Sequence, residues 1–294
     1  MAFLVFSRYT LAAGRTLLRR ALDALLYSSA WLAAAAAAQT AATLRQWPAA
    51  CGGVAASRLP LLVLAATLLV YNLDAVLPFK YRQPAGASGR KAWQQQHRPG
   101  LALLAGGAAA LAGFLFVADG WWPYLPGLLP LAALALLYSW PLGRWRGQRR
   151  ALREVPLLKV FLIAGVWTAV TVGLPALARH HPLADAAGLL TQRFCLVLAL
   201  AIVFDIRDLS RDRAAGTRTF PVLLGSTGAK VVALAFLLAA VSLGLARGAP
   251  PLAVLGPAGL AALVISVARE SRGDYFFAFV ADGVLLVEAA WYLL

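Results

Sequence analysis

The chain reads as an all-α polytopic membrane protein of about nine transmembrane helices, and three observations carry that reading. Hydrophobic residues make up 61% of the 294, charged residues 13%, and the mean hydropathy is +0.74. Soluble domains are roughly half apolar and a quarter charged. Apolar runs recur along the whole length at close to the roughly 20 residues needed to cross a hydrocarbon core. The basic residues between those runs alternate in density from one connection to the next, as the positive-inside rule requires.

The spans fall at 21–44, 58–79, 99–117, 121–140, 155–177, 187–204, 229–246, 250–268 and 274–293. The first follows a basic segment, 1–20, with Arg8, Arg15, Arg19 and Arg20. No small-residue cleavage site and polar mature region follow it, so it reads as an amphipathic cytoplasmic start. The third and fourth are separated only by Asp119-Gly120-Trp121-Trp122-Pro123, expected to be a tight interfacial turn with aromatic anchors. The fifth begins at Pro156, and the sixth ends in Leu200-Ala201-Ile202-Val203-Phe204. The ninth carries Asp282 and Glu288, which six residues place on different parts of the helix surface; structural roles are expected for both. Trp140, Trp145, Trp167, Trp291 and Tyr292 are expected to be membrane-interface anchors.

With the N-terminus inside, the cytoplasmic segments hold 22 of the 27 Lys and Arg; only Arg45, Arg58, Arg179, Arg193 and Arg247 fall outside them. Removing one middle span would invert every later loop and scramble this bias. The expected orientation is therefore N-terminus cytoplasmic and C-terminus outside, in the cell's inner (plasma) membrane. The net charge of +15 is then a topology signal and a contact with anionic headgroups of membrane lipid. A nucleic-acid footprint would need a soluble basic face, and the chain has none. Cys51 and Cys195 are far apart and lack metal spacing, and read as structural thiols. His97, His180 and His181 have no Cys or carboxylate cluster beside them and read as solvated interfacial groups.

The acidic residues are informative because they are few. Of 12 Asp and Glu, three fall within eight residues, Asp205-Ile206-Arg207-Asp208-Leu209-Ser210-Arg211-Asp212, directly after the sixth span. If the helix continues, Asp205, Asp208 and Asp212 stand at i, i+3 and i+7 and share one face. Like charges so placed repel unless a cation joins them. Hard carboxylate oxygens suit Mg²⁺, which takes one or two carboxylates, keeps waters and bridges to phosphate oxygens. The interleaved Arg207, Arg211 and Arg213 have two readings, holding those phosphates or neutralising the carboxylates.

The segment from Asp205 through Arg213-Ala214-Ala215-Gly216-Thr217-Arg218-Thr219-Phe220-Pro221 to Gly225 closely resembles the second aspartate-rich motif of the UbiA superfamily of intramembrane prenyltransferases. Tyr138-Ser139-Trp140-Pro141-Leu142 looks like that family's Tyr-Ser-x-Pro-Leu segment at the end of its fourth helix. The resemblance covers most of the chain from about residue 60 onward and implies a single UbiA-like domain over 1–294. It further implies nine helices around a central cavity, with two aspartate motifs at the cytoplasmic mouth binding an isoprenyl diphosphate through Mg²⁺. The first motif departs from the family pattern. Where Asn-x-x-x-Asp-x-x-x-Asp is expected, this chain has Val70-Tyr71-Asn72-Leu73-Asp74-Ala75-Val76-Leu77-Pro78, so only Asp74 matches and Asn72 is out of register.

The metal-binding and catalytic candidates are thus Asp205, Asp208, Asp212 and Asp74, with Mg²⁺ as cofactor. The substrate-binding candidates are Arg207, Arg211, Lys80, Arg82, Tyr138, Arg144 and Lys159. Arg90 and Lys91 follow the damaged motif in the same way as Lys80 and Arg82, and Arg146, Arg149 and Arg150 follow Arg144; topology alone also explains most of these. Lys159 stands out because it lies one turn into an apolar span, where an ionisable group is costly, although snorkelling to the interface is an alternative. The implied activity is Mg²⁺-dependent transfer of an isoprenyl group from a prenyl diphosphate to a lipophilic aromatic or quinone-precursor acceptor. A non-catalytic protein binding a polyprenyl lipid or quinone is the alternative that the damaged motif suggests. A transporter is a distant third, since no internal repeat is evident.

Overall fold

The computed structural model describes residues 17–47, 56–77, 89–137, 143–145, 148–150, 155 and 157–294. Its helices are α1 (Leu17–Tyr27), α2 (Ala30–Gln46), α3 (Leu59–Val76), α4 (Gly89–Gln96), α5 (Arg98–Ala118), α6 (Leu125–Leu137) and α7 (Leu158–Thr168). There follow α8 (Leu174–Ala178), α9 (Leu183–Arg207), α10 (Leu209–Ala214), α11 (Phe220–Ala246), α12 (Pro251–Val267) and α13 (Asp282–Leu293). Each expected span is helical over most of its described part, the first being broken at Ser28–Ser29. Among the described residues six helices are long and apolar enough to cross a membrane, seven if the bent α1–α2 pair counts as one. Trp122–Leu136 and Pro251–Val267 are shorter apolar helices.

Local sequence explains the breaks. Ser29 has φ 62°, and α1 and α2 meet there at 57°. Pro175 has no N–H to donate back along the helix, and a π-helical stretch, Ala169–Gly173, lies just before it. A second π stretch, Phe276–Ala281, leads into α13. The expected span 229–246 begins earlier than its hydropathy suggested, because α11 starts at Phe220 and is kinked at Gly225. That residue has φ 73° and ψ 168°, a region open essentially to glycine alone. The basic stretch after α6 contains a short antiparallel hairpin, β1 (Gly143–Trp145) with β2 (Gln148–Arg150), pairing Arg144 with Arg149.

Packing follows chain order. Helix α2 packs on α3, α3 on α5 and α6, α6 on α7, α7 on α9, α9 on α11, α11 on α12 and α12 on α13; α13 then returns to α2 and closes the ring. Helix α9 is the most enclosed: two-thirds of its apolar window is buried, against about a fifth for α3 and α5. Small residues permit the close approaches, with Ala33, Ala35, Ala36 and Ala42 of α2 and Ala229, Ala233 and Ala240 of α11 all buried. Large exposed side chains such as Leu103, Phe114, Val231 and Leu238 are apolar, as a surface facing lipid requires.

The aromatic expectations need correction. Trp121, expected as an anchor in an interfacial turn, is fully buried beside Tyr124, and Trp167 is buried in the core, whereas Trp122 and Trp291 are exposed. Hydropathy cannot distinguish an interfacial indole from one that a neighbouring helix covers. Trp140 and Cys51 lie outside the described residues, and Cys195 is a buried free thiol.

Candidate functional site at the charged end of the bundle

One end of the ring gathers the C-terminal ends of α3 and α9, the N-terminal end of α7, the α1–α2 bend, and the start of the last helix. Long-range hydrogen bonds tie these together. The Asn72 amide donates to the Ser28 carbonyl at 2.9 Å, and Leu157 N–H, at the start of α7, donates to the Arg218 carbonyl at 3.0 Å. The Ser210 N–H, in the first turn of α10, donates to the Glu270 carboxylate at 2.8 Å. Helix α4 docks on the same end. Its Arg90 N–H donates to Asp274 at 3.1 Å, its Arg90 guanidinium to Ser29 Oγ at 3.0 Å, and its Gln94 amide to the Tyr27 carbonyl at 2.9 Å. Trp93 packs edge-on against Tyr27, which stacks on Tyr275.

The aspartate cluster sits where α9 gives way to α10. The helix does not run straight through: Asp208 leaves helical geometry (φ −94°, ψ 10°) and links the two elements. Even so, Asp205, Asp208 and Asp212 are all buried, at 1%, 9% and 7% exposure, and a carboxylate at that depth needs a partner. Asp205 receives Lys159 Nζ at 2.7 Å. Asp208 is held from several sides, by Arg207 through Nε and Nη2 (both 3.2 Å) and by Arg211 Nη2 at 2.8 Å, with Lys159 Nζ at 3.9 Å. Arg207 is itself fixed, its guanidinium lying 5.1 Å from the Phe204 ring centre and 5.6 Å from that of Phe277. Asp212 keeps a buried Oδ2 that has no hydrogen-bond partner.

The two carboxyls beyond the end of α9 are pushed in opposite directions. Burial opposes ionisation of Asp208, but Arg207, then Arg211 and Lys159, outweigh it and hold that carboxyl below the usual carboxylate range. At Asp212 burial dominates, reinforced by the charges of Asp208 and Asp205 against the pull of Lys159 and Arg211, and its carboxyl is pushed up. Among the described residues no three His, Cys, Asp or Glu side chains form a ready metal cage. Mg²⁺ does not need one when phosphate oxygens complete its shell. The orphaned Asp212 oxygen and the adjacent Asp205 are hard oxygen donors that fit that role, flanked by three cations suited to phosphate.

The expected site residues therefore divide. Asp205, Asp208, Asp212, Lys159, Arg207 and Arg211 come together. Asp74, on α3, belongs to an adjoining group; its electrostatic neighbour Tyr71 also senses Arg90 and Asp282, and Arg90 in turn senses Arg207. Arg144 is placed on β1, while Lys80, Arg82 and Tyr138 lie outside the described residues. Burial, then the nearby Arg207, lowers the Arg90 guanidinium below its ordinary value. Asp274, Glu270 and Ser29 were missed by sequence reasoning. No spacing signal could have found them, because each joins the site through a contact more than 55 residues away.

At the other end, the five basic residues outside the charge bias each have a fixed partner. Arg45 donates to the Leu293 carbonyl, Arg179 to the Leu44 carbonyl at 3.5 Å and Arg247 to the Gln192 side chain; Arg58 pairs with Asp119. Arg193 pairs with Glu288 at 3.6 Å, and Glu288 also accepts from Gln39 at 2.8 Å. The structural role expected for Glu288 is thus observed. His181 stacks on Trp47 and His97 on Trp93, so neither stands in a cluster of ligands.

Ring closure, apolar exterior and a charged end define a polytopic α-helical membrane protein, and its fold is that of the UbiA proteins, as one solved structure shows. The solved apo structure of a UbiA homolog from Aeropyrum pernix K1 is similar to this chain with a TM-score of 0.58 and 20% sequence identity, covering 90% of this chain and 98% of that one. No family model matches the chain, and no curated protein matches it.

Proposed function

We propose that this chain is a divergent UbiA-type prenyltransferase. It would transfer an isoprenyl group from a prenyl diphosphate to a lipophilic aromatic or quinone-precursor acceptor, with Mg²⁺ at the charged end and that end facing the cytoplasm. The observation that carries the reading is the gathering of three buried carboxylates with three cations at one end of a bundle with the UbiA fold.

In this reading Asp212 and Asp205 would hold Mg²⁺, which supplies positive charge to the diphosphate leaving group. Lys159, Arg207 and Arg211 bind the phosphate oxygens. Arg207 does so from a fixed position, because Phe204, Phe277 and Asp208 restrict it. The allylic C–O bond breaks and its electron pair leaves with the diphosphate. The electron-rich acceptor then forms the new bond to the allylic carbon and loses a proton. The apolar helices around the site keep water from competing.

The test is calorimetric titration of geranylgeranyl diphosphate into the detergent-purified protein, with Mg²⁺ and with EDTA, followed by an acceptor screen. Magnesium-dependent binding, with turnover lowered about 100-fold in Asp212→Ala, is the expected result. Full activity in Asp212→Ala would overturn the assignment. One observation favours the non-catalytic alternative: the first motif keeps only Asp74, and the Asp208 oxygens already accept from two guanidinium groups. Diphosphate binding without transfer to any acceptor would select it.

A further inference from the structure

We propose that the Lys159 ammonium is a tethered stand-in for the divalent cation. It neutralises Asp205, one of the two carboxylates read as holding the metal, and stays beside Asp208 until metal and diphosphate arrive together, when it moves from carboxylate to phosphate. The proposal rests on reading this end as a metal–diphosphate site.

The placement is what a stand-in requires. Lys159 Nζ is 2.7 Å from Asp205 Oδ1 and 3.9 Å from Asp208 Oδ2, so among the described residues it is the one cation within 4 Å of both. Its side chain is 17% exposed and that of Asp205 is 2% exposed, so it neutralises a carboxylate that water barely reaches. A divalent ion bound to Asp205 would lie next to the ammonium, and two cations at that separation in a poorly hydrated site repel. The metal alone must therefore compete with a covalently attached cation. A diphosphate removes the conflict, because it offers the ammonium new acceptors while sharing the metal.

The backbone is fixed and the side chain is free to swing. Leu157 caps the start of α7; its φ is 58° and its N–H is held by the Arg218 carbonyl, so the start of the helix is anchored to the loop between α10 and α11. Lysine carries its charge on a flexible four-carbon stem with three donors, suited to exchanging one oxygen partner for another. Arg207 cannot do the same, being fixed on Asp208 and packed against the Phe204 and Phe277 rings. Among the described residues Arg211 forms its ion pair with Asp208, at 2.8 Å. The consequence is mutual dependence: metal and diphosphate each bind weakly alone and strengthen each other by the same factor.

Mn²⁺ binding read by electron paramagnetic resonance, with and without inorganic pyrophosphate, tests this without requiring turnover. In the wild type, pyrophosphate is expected to tighten Mn²⁺ binding about tenfold or more. Lys159→Met is expected to bind Mn²⁺ alone about tenfold more tightly and to show little further gain from pyrophosphate. Lys159→Arg keeps the charge and is expected to hold Mn²⁺ alone as weakly as the wild type; it also controls for a Met variant that fails to fold. If Lys159→Met binds Mn²⁺ alone no better than the wild type while Asp212→Asn abolishes binding, the stand-in role is overturned and the metal site survives. No Mn²⁺ binding by the wild type with pyrophosphate would overturn both readings.

Discussion

The two ends of the bundle use the same residue types for opposite purposes. At one end, five arginines are matched singly: Arg45 and Arg179 reach carbonyls at helix C-termini, Arg58 and Arg193 take carboxylates, and Arg247 takes an amide. Cations at helix C-termini complement the backbone dipole, so these contacts tie helix ends together. At the other end, Lys159, Arg207 and Arg211 crowd around Asp205 and Asp208, and Asp212 is left with an unmet oxygen. Buried polar atoms without a hydrogen-bond partner lie at both ends, Asp212 Oδ2 at this one and Arg193 Nε and Nη1 at the other; what sets the charged end apart is the crowding of several cations on neighbouring carboxylates. The difference is one of arrangement, single pairs at one end and a shared cluster at the other, and neither composition nor burial alone would reveal it.

Breaking the matched end should have the largest effect on stability. Glu288→Leu leaves Arg193, only 1% exposed, without its carboxylate and is expected to cost about 4 kcal/mol in detergent melting. Combining it with Arg193→Met should recover most of the loss, because replacing both members of a buried pair removes the unpaired charge. If the single and double variants melt alike, the pair is not coupled.

The charged end should respond less, and with two signs. Asp208→Asn loosens Arg207 and Arg211 and is expected to cost about 3 kcal/mol at neutral pH. The Asp208 carboxyl lies below its unfolded value of about 3.9, so its contribution is present above that pH and lost as the pH falls through the folded value. Asp212 is raised, so its contribution is present below about pH 4 and lost as the pH rises through the folded value. Asp212→Asn should therefore melt up to about 1 kcal/mol above the wild type at neutral pH and no higher at acid pH. Melting from pH 3.5 to 8 checks both signs, and a loss of stability in Asp212→Asn at pH 8 would contradict the unmet oxygen. The smallest effect is expected for Phe204→Leu, about 0.5 kcal/mol, from one face of the Arg207 cation–π contact. A double variant with Asp208→Asn should show the two effects to be non-additive if Arg207 is held jointly.

What lay within one helix or its flanks was legible. Asp205, Asp208 and Asp212 could be placed on one face because helical spacing is fixed by the backbone; the helix in fact breaks at Asp208, and the three carboxylates instead gather around Lys159. Lys159 was legible because an ammonium one turn inside an apolar run is costly enough to require a reason. The choice left open for Arg207 and Arg211, neutralising carboxylates or holding phosphate, turned on side-chain geometry: the structure shows both on Asp208, at 3.2 and 2.8 Å. Trp121 was misread because burial depends on a neighbour that hydropathy does not include.

By itself the sequence determined the membrane class, the order of the helical segments, the concentration of basic residues in alternate connections, and the local aspartate motif. Each follows from transfer free energies or helical periodicity, which act over fewer than about 20 residues. Only the tertiary structure decided that α13 closes the ring on α2, that Asp274 and Glu270 hold α4 and α10 to the charged end, and that Arg193 is matched by Glu288. Those contacts join groups between 60 and 184 residues apart in the hydrogen-bonded cases. They are selected by packing geometry, which a run of similar apolar helices does not encode in its local pattern.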